Sequence, residues 1–279
     1  MRRMQLIEFH DQPWFPRLLR DQVTDALQLI LHLGNVYQPI VNRLRRALEN
    51  SGSRQILDLC SGAGGPWLWL YKAFDGQGSP PVSVCLTDKY PNATAFSHAN
   101  IASRNRIHFH AAPVDVAEVP PELDGFRTLF ASFHHFPPRQ AQAILQDAVN
   151  RRQGIGIFEA PGRHIVTLLL VLLVPLADLV VTPFLRPFRW SRLLWTYVIP
   201  VIPVVLWFDG MISCLRTYSP DELAELTDGL SGASEYEWDI GEEQAGFLSL
   251  PITYLIGFRH PAAGKNESVV GKAASHMAR

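Results

Sequence analysis

Gln55-Ile-Leu-Asp-Leu-Cys-Ser-Gly-Ala-Gly-Gly-Pro66 is the stretch on which the reading of this chain turns. Ile56, Leu57 and Leu59 form an apolar run of strand length, and Gly62, Gly64 and Gly65 follow it as a loop. Trp67 to Phe74 then reads as a helix. Strand, glycine loop and helix, in that order, make the place where an open α/β sheet takes its ligand. Glycine lacks a Cβ, so the backbone can turn sharply and approach a bound group closely. Asp58 adds a negative charge near the loop, which disfavours a phosphate and favours a cationic group such as an amino acid's amine.

Outward from this stretch, strands and helices alternate. Val82 to Asp88 reads as a second strand that ends in an acid, after a loop at 76–81. An acid there can accept hydrogen bonds from both ribose hydroxyls. A helix over about Asn92 to Ser103 leads to a third strand, Ile107 to Ala111, with Asp115 just beyond. Phe126 to Phe133 is the fourth strand, and His134-His135-Phe136-Pro137-Pro138 stands at its carboxyl end. A helix from about Gln140 to Asn150 and a fifth strand, Gly154 to Glu159, complete the series. Such alternation predicts a parallel, doubly wound α/β sheet.

Asp58-Leu-Cys60-Ser61-Gly62-Ala-Gly64 resembles motif I of the class I S-adenosylmethionine-dependent methyltransferases, a pattern close to D/E-x-G-x-G-x-G. Cys60 stands at the first glycine position, where small residues are tolerated. The resemblance covers residues 50 to 160 well and the later strands loosely. It implies S-adenosylmethionine as cofactor and a Rossmann-like core. Asp58 would act on the methionine amine indirectly or through the loop, Cys60 and Ser61 would lie against the cofactor, and Gly62 and Gly64 would give backbone access. Asp88 would take the ribose and Asp115 the adenine. Ser132 to His135 would face the methyl group.

Residues 1–50 read as an N-terminal helical cap, with helices over Leu18 to Leu33 and about Val36 to Leu48. The core follows at 51–162. Residues 163–215 are a hydrophobic helical insert after the fifth strand. Residues 216–260 carry a helix opened by Ser219-Pro220-Asp221-Glu222 and two closing strands, and 261–279 read as a disordered polar tail. Within the insert, Ile165 to Val181 and Leu193 to Phe208 are almost wholly apolar, yet each falls short of the ~20 residues of a spanning helix. Two readings stay open there: contact with a membrane surface, or a cover that packs on the pocket or forms a homodimer. Both point to a lipophilic substrate.

The totals narrow the function classes. Twenty-five Lys+Arg against 26 Asp+Glu leave a net charge of -1, which argues against nucleic acid as a partner. Cys60, Cys85 and Cys214 are scattered, so neither a disulfide framework nor a zinc cage is expected, and the chain reads as cytoplasmic, with the inner face of the membrane as a peripheral site. Glu8, His10, Asp11 and Gln12 interrupt any apolar run behind Arg2-Arg3, which excludes a signal-peptide reading of the first residues. His108 and His110 share a strand face without a third ligand at metal spacing, so no metal is expected. Ser61 is not in a nucleophile elbow.

The expected activity is methyl transfer to a small or lipophilic acceptor, at oxygen or nitrogen. His134 and His135 are the candidate bases; on an extended chain the two would face opposite ways. The rival readings are a membrane-associated module that binds S-adenosylmethionine without transferring its methyl, and a nucleotide-dependent oxidoreductase. The second lacks the usual Gly-x-Gly-x-x-Gly spacing.

Overall fold

The structure, a computed structural model, describes residues 2–74, 81–245 and 250–260. The tail expected at 261–279, and all but Pro81 of the loop expected at 76–81, lie outside the described residues.

Seven strands form one sheet: β1 (Gln55–Asp58), β2 (Ser83–Leu86), β3 (Ile107–Phe109), β4 (Phe126–Phe130), β5 (Ile155–Glu159), β6 (Glu237–Ala245) and β7 (Leu250–Phe258). Their order is β3-β2-β1-β4-β5-β7-β6. The first five are parallel, and β7 runs antiparallel between β5 and β6. Strand order therefore reverses between β1 and β4, which opens a crevice at their carboxyl ends.

Period-two alternation sorts the strand residues onto two faces. Ile56, Phe130 and Phe158 pack into one apolar cluster, beneath α2 (Val41–Ser51), α3 (Trp67–Leu70) and α4 (Ala93–Ala102). Their neighbours Leu57, Leu129 and Ile157 pack into the other, beneath α5 (Pro138–Asn150) and α10 (Pro220–Asp228). Ser219 opens α10 as expected, with a reciprocal capping box to Glu222.

The remaining helices make a layer of their own. They are α1 (Arg17–Leu33), α6 (Ile165–Val171), α7 (Val174–Val181), α8 (Trp190–Leu193) and α9 (Val201–Arg216). Val23 and Ala26 of α1 meet Ile202, Val205 and Leu206 of α9 in a third apolar cluster. α1 begins and ends close to its expected limits, with Gly34 closing it. α2 starts at Val41 rather than Val36, because residues 34–40 form turns.

Two expectations about the strand ends change. β4 stops at Phe130, where Ala131 takes a left-handed φ of 44°, and Phe133–His135 is a 3-10 turn rather than more strand. The histidine rings consequently lie side by side, 4.2 Å between centroids, instead of on opposite faces.

Candidate active site

The glycine loop hangs from β1. Gly64 and Gly65 N–H groups both donate to the Ser61 carbonyl, 2.7 Å each, which closes the turn. Gly64 has φ of +101°, a conformation open to glycine and strained for other residues. Cys60, at the motif's first glycine position, is itself left-handed at φ +58°. Strain at Cys60 and Ala131 thus flanks the crevice, the pattern seen where backbone geometry serves a site.

Asp58 lies beneath the loop, 1% exposed. Its carboxylate accepts from Ser61 Oγ and Thr128 Oγ1, both at 2.6 Å. Burial pushes its pKa up to about 6, and those two hydroxyls oppose the rise. Asp58 therefore ties the loop to β1 and β4 and does not line the cavity.

The cavity above the loop has a volume of about 450 Å³, within the usual range of small-molecule sites. Cys60, Ser61, Gly62, Asp88, Ser132 and His135 all line it. Asp88 holds the Gly62 N–H and the Tyr90 N–H, each at 2.7 Å, one on each oxygen. Each oxygen keeps a further lone pair for a ligand hydroxyl. Helix α1 closes the other side: Gln28 Nε2 donates to the Ala63 and Gly65 carbonyls at 2.8 and 2.9 Å. One buried hydroxyl on the lining, that of Ser132, has no hydrogen-bond partner among the described residues.

Asp115 stands apart. It is not on the cavity wall; its carboxylate meets Lys89 Nζ at 2.8 Å and caps the Ala117 N–H. The adenine role expected of it has no geometric counterpart. None of residues 165–208 lines the cavity either; they pack behind α1, which does. The cover is α1 together with the segment before it.

The two histidines divide. His134 is 1% exposed, and its Nδ1 meets Glu159 Oε2 at 2.6 Å. The other oxygen of Glu159 accepts the N–H groups of Ser132, Phe133 and His134 in turn. Burial works to raise the Glu159 pKa, but His134 and these donors bring it below the usual carboxylate value. Glu159 and His134 thus build the turn. His135 faces the cavity, with Nδ1 2.8 Å from Asp11 Oδ2. Burial of Asp11 is outweighed by His135, His10 and Arg216, which hold its carboxyl well below the ordinary range.

Asp11 belongs to a segment whose role the sequence did not disclose. Residues 3–12 strap the carboxyl ends of the strands. Arg3 donates to the His134 and Phe136 carbonyls, and Asp209 of α9 accepts the Phe9 and His10 N–H groups at 2.7 and 3.1 Å. Glu8 is wholly buried, 3.1 Å from Arg216 Nη1 and 3.6 Å from both His134 Nε2 and His135 Nδ1. The only hint in the sequence was the density of titratable residues at Glu8, His10 and Asp11, in a stretch without helical or strand periodicity.

Glu8, His10, Asp11 and His135 place donor atoms within 4.8 Å of one another, a spacing that suits a cation. That place is held by Arg216, whose Nη1 lies 3.1 Å from both Glu8 Oε1 and Asp11 Oδ2. A guanidinium there supplies the positive charge, so we assign no metal to the cluster.

No protein-family model and no curated protein sequence matches the chain. Solved structures do resemble it. One is an O-methyltransferase, NcsB1 from neocarzinostatin biosynthesis, solved with S-adenosylmethionine and 2-hydroxy-5-methyl naphthoic acid. It has a TM-score of 0.53 at 13% identity, over 91% of this chain and 61% of that one. Another is human N-acetylserotonin methyltransferase with S-adenosylmethionine, with a TM-score of 0.51 at 14% identity, over 88% of this chain and 57% of that one. The chain thus spans about three-fifths of the length of each. With the reversal of strand order and the glycine loop in place, the likeness establishes that this chain has the fold of the class I S-adenosylmethionine-dependent methyltransferases.

Proposed function

We propose that the chain is an S-adenosylmethionine-dependent methyltransferase that methylates a hydroxyl on a small, lipophilic acceptor. The observation that carries this reading is one cavity lined both by the glycine loop with Asp88 and by the Asp11–His135 pair. The residues fit the cofactor. Asp88 offers acceptors to ribose hydroxyls, Gly62 and Gly65 admit the backbone to close range, and the Ser132 hydroxyl has no partner among the described residues. Bound S-adenosylmethionine supplies an electrophilic methyl on a sulfonium.

The chain's own part is positioning and proton transfer. Asp11 holds the Nδ1–H of His135, which leaves Nε2 as the acceptor nitrogen. A base so oriented takes the proton of an acceptor hydroxyl as the oxygen is methylated. Leu27, Leu31, Val36, Trp69, Leu70 and Phe130 give the rest of the lining an apolar character, which favours an acceptor with an aromatic or hydrocarbon body. The NcsB1 ligand, a hydroxynaphthoic acid, is of that kind and is the first acceptor to try.

The test is transfer of labelled methyl from S-adenosylmethionine to a panel of hydroxylated aromatic acids. Product methylated at oxygen, lost in His135→Ala, supports the proposal. Binding of S-adenosylhomocysteine with no transfer across the panel favours a binding module without turnover.

A further inference from the structure

The helices between β5 and α10 bury a polar cluster beside their apolar core and expose much of their remaining apolar surface. Asp178, Thr182, Arg192 and Thr196 are each no more than 1% exposed. Thr182 Oγ1 donates to Asp178, and Arg192 reaches across to Asp25 of α1 at 2.7 Å. Outward go the apolar residues. Leu172, Leu173, Leu176, Val180, Phe184, Trp190 and Val198 are all exposed, Trp190 by 78%. Most of the exposed large apolar side chains among the described residues fall in this one segment. A surface so rich in exposed hydrocarbon is suited to an apolar surround, since exposed hydrocarbon is costly in water.

Among the described residues, no single helix is long and apolar enough to cross a membrane. Two bent pairs, Ile165–Val171 with Val174–Phe184 at 42° and Trp190–Val198 with Val201–Arg216 at 71°, are long and apolar enough only when taken together, as a broken span or a re-entrant loop would be. Each single helix is too short for the ~30 Å hydrocarbon core, so these apolar helices can dip into one leaflet from the surface. Trp190, Tyr197 and Trp207 are exposed on this layer, the residue types that sit at headgroup depth. The face continues onto the strap: Phe9 stacks on Phe208 at 4.5 Å, and exposed Trp14 meets Phe9 edge-on.

Charge selects the occupant. Residues 165–208 hold one acid, Asp178, and it is buried. Of their three arginines, Arg192 is buried against Asp25, while Arg186 is exposed and Arg189 half-buried. A second copy related by a two-fold axis would set Arg186 against a like-charged face with no exposed acid to meet it. Anionic headgroups supply the missing charge.

We propose that the outer face of residues 165–208 docks on an anionic lipid bilayer, without crossing it. The docked face lies behind α1, whose opposite side (Thr24, Gln28, Leu31) lines the cavity. The proposal stands apart from methyl transfer, so the two are read separately.

The experiment is sedimentation of the full chain with phosphatidylcholine vesicles, with and without phosphatidylglycerol. S-adenosylhomocysteine binding and circular dichroism are followed alongside to confirm the fold of each variant. Expected is binding that rises with phosphatidylglycerol and falls with salt. Leu173→Asp/Leu176→Asp, two changes at exposed positions, should weaken it at least about tenfold, and Arg186→Glu about fivefold on the anionic vesicles. Failure of the folded chain to bind either vesicle overturns the proposal, as does binding that the double variant leaves unchanged. A dimer that binds no vesicle and that the double variant splits into monomers also overturns it, and makes the face a subunit interface.

Discussion

At the scale of single residues, His135 and Asp11 carry the proposed chemistry. Asp11→Asn replaces the carboxylate that orients the His135 ring through Nδ1 with an amide that can present its NH2 group to that nitrogen. We expect turnover to fall at least about a hundredfold in Asp11→Asn and in His135→Ala, with S-adenosylhomocysteine affinity kept. Loss of affinity in step with turnover would instead place both residues in cofactor binding. His10 offers a second residue-scale prediction. Burial works against its charge, but the Asp209 hydrogen bond and the nearby Glu8 and Asp11 raise its pKa to about 9. Its pKa in the unfolded chain is about 6.5. The folded state therefore binds the extra proton, and the stability it confers is complete below about pH 6.5 and lost as pH rises through about 9, on the order of 1–3 kcal/mol. The urea midpoint should drop across that window, and His10→Asn should flatten the drop.

At the scale of elements, what could be read in advance follows from periodicity. β1, β2, α5 and β5 appear near their expected limits because alternate or helically spaced apolar residues must be buried wherever they occur. The turn at Phe133–His135 was not legible. Phe133 prolongs an apolar strand run, and nothing in the residues signals that Ala131 turns left-handed. What makes the turn is Glu159, 26 residues on from Phe133, through its hold on three successive N–H groups. Glu159→Ala would leave those donors and His134 unpartnered in the interior. We expect a loss of about 3–5 kcal/mol, read by chemical denaturation, and a weaker cofactor site. A change below about 1 kcal/mol would mean that water or backbone rearrangement replaces the carboxylate.

At the scale of the whole molecule, the doubly wound α/β sheet and the ligand's place at the glycine loop were legible, because strand–helix alternation with a glycine loop leaves few topologies. Of the expected cofactor set, Cys60, Ser61, Gly62, Asp88 and Ser132 converge on one cavity, Asp58 and Gly64 support it from behind the wall, and Asp115 lies away from it. The strap was the largest omission. Glu8, His10 and Asp11 reach the site through contacts with Asp209, Arg216 and the histidine pair, between 124 and 208 positions away in the chain. No local pattern encodes such contacts. The apolar helices were legible as helices, but their place against α1, with none of them on the cavity wall, came only from the packing.

The central claim is that the crevice between β1 and β4 holds S-adenosylmethionine with Asp88 on its ribose. The most direct measurement is isothermal titration of the purified chain with S-adenosylhomocysteine, repeated on Asp88→Ala. The account predicts one site per chain in the wild type and an affinity at least about tenfold weaker in the variant, the worth of a hydrogen bond to a charged group. A folded wild-type chain that takes up no S-adenosylhomocysteine, or an Asp88→Ala variant that binds it equally well, would contradict the account.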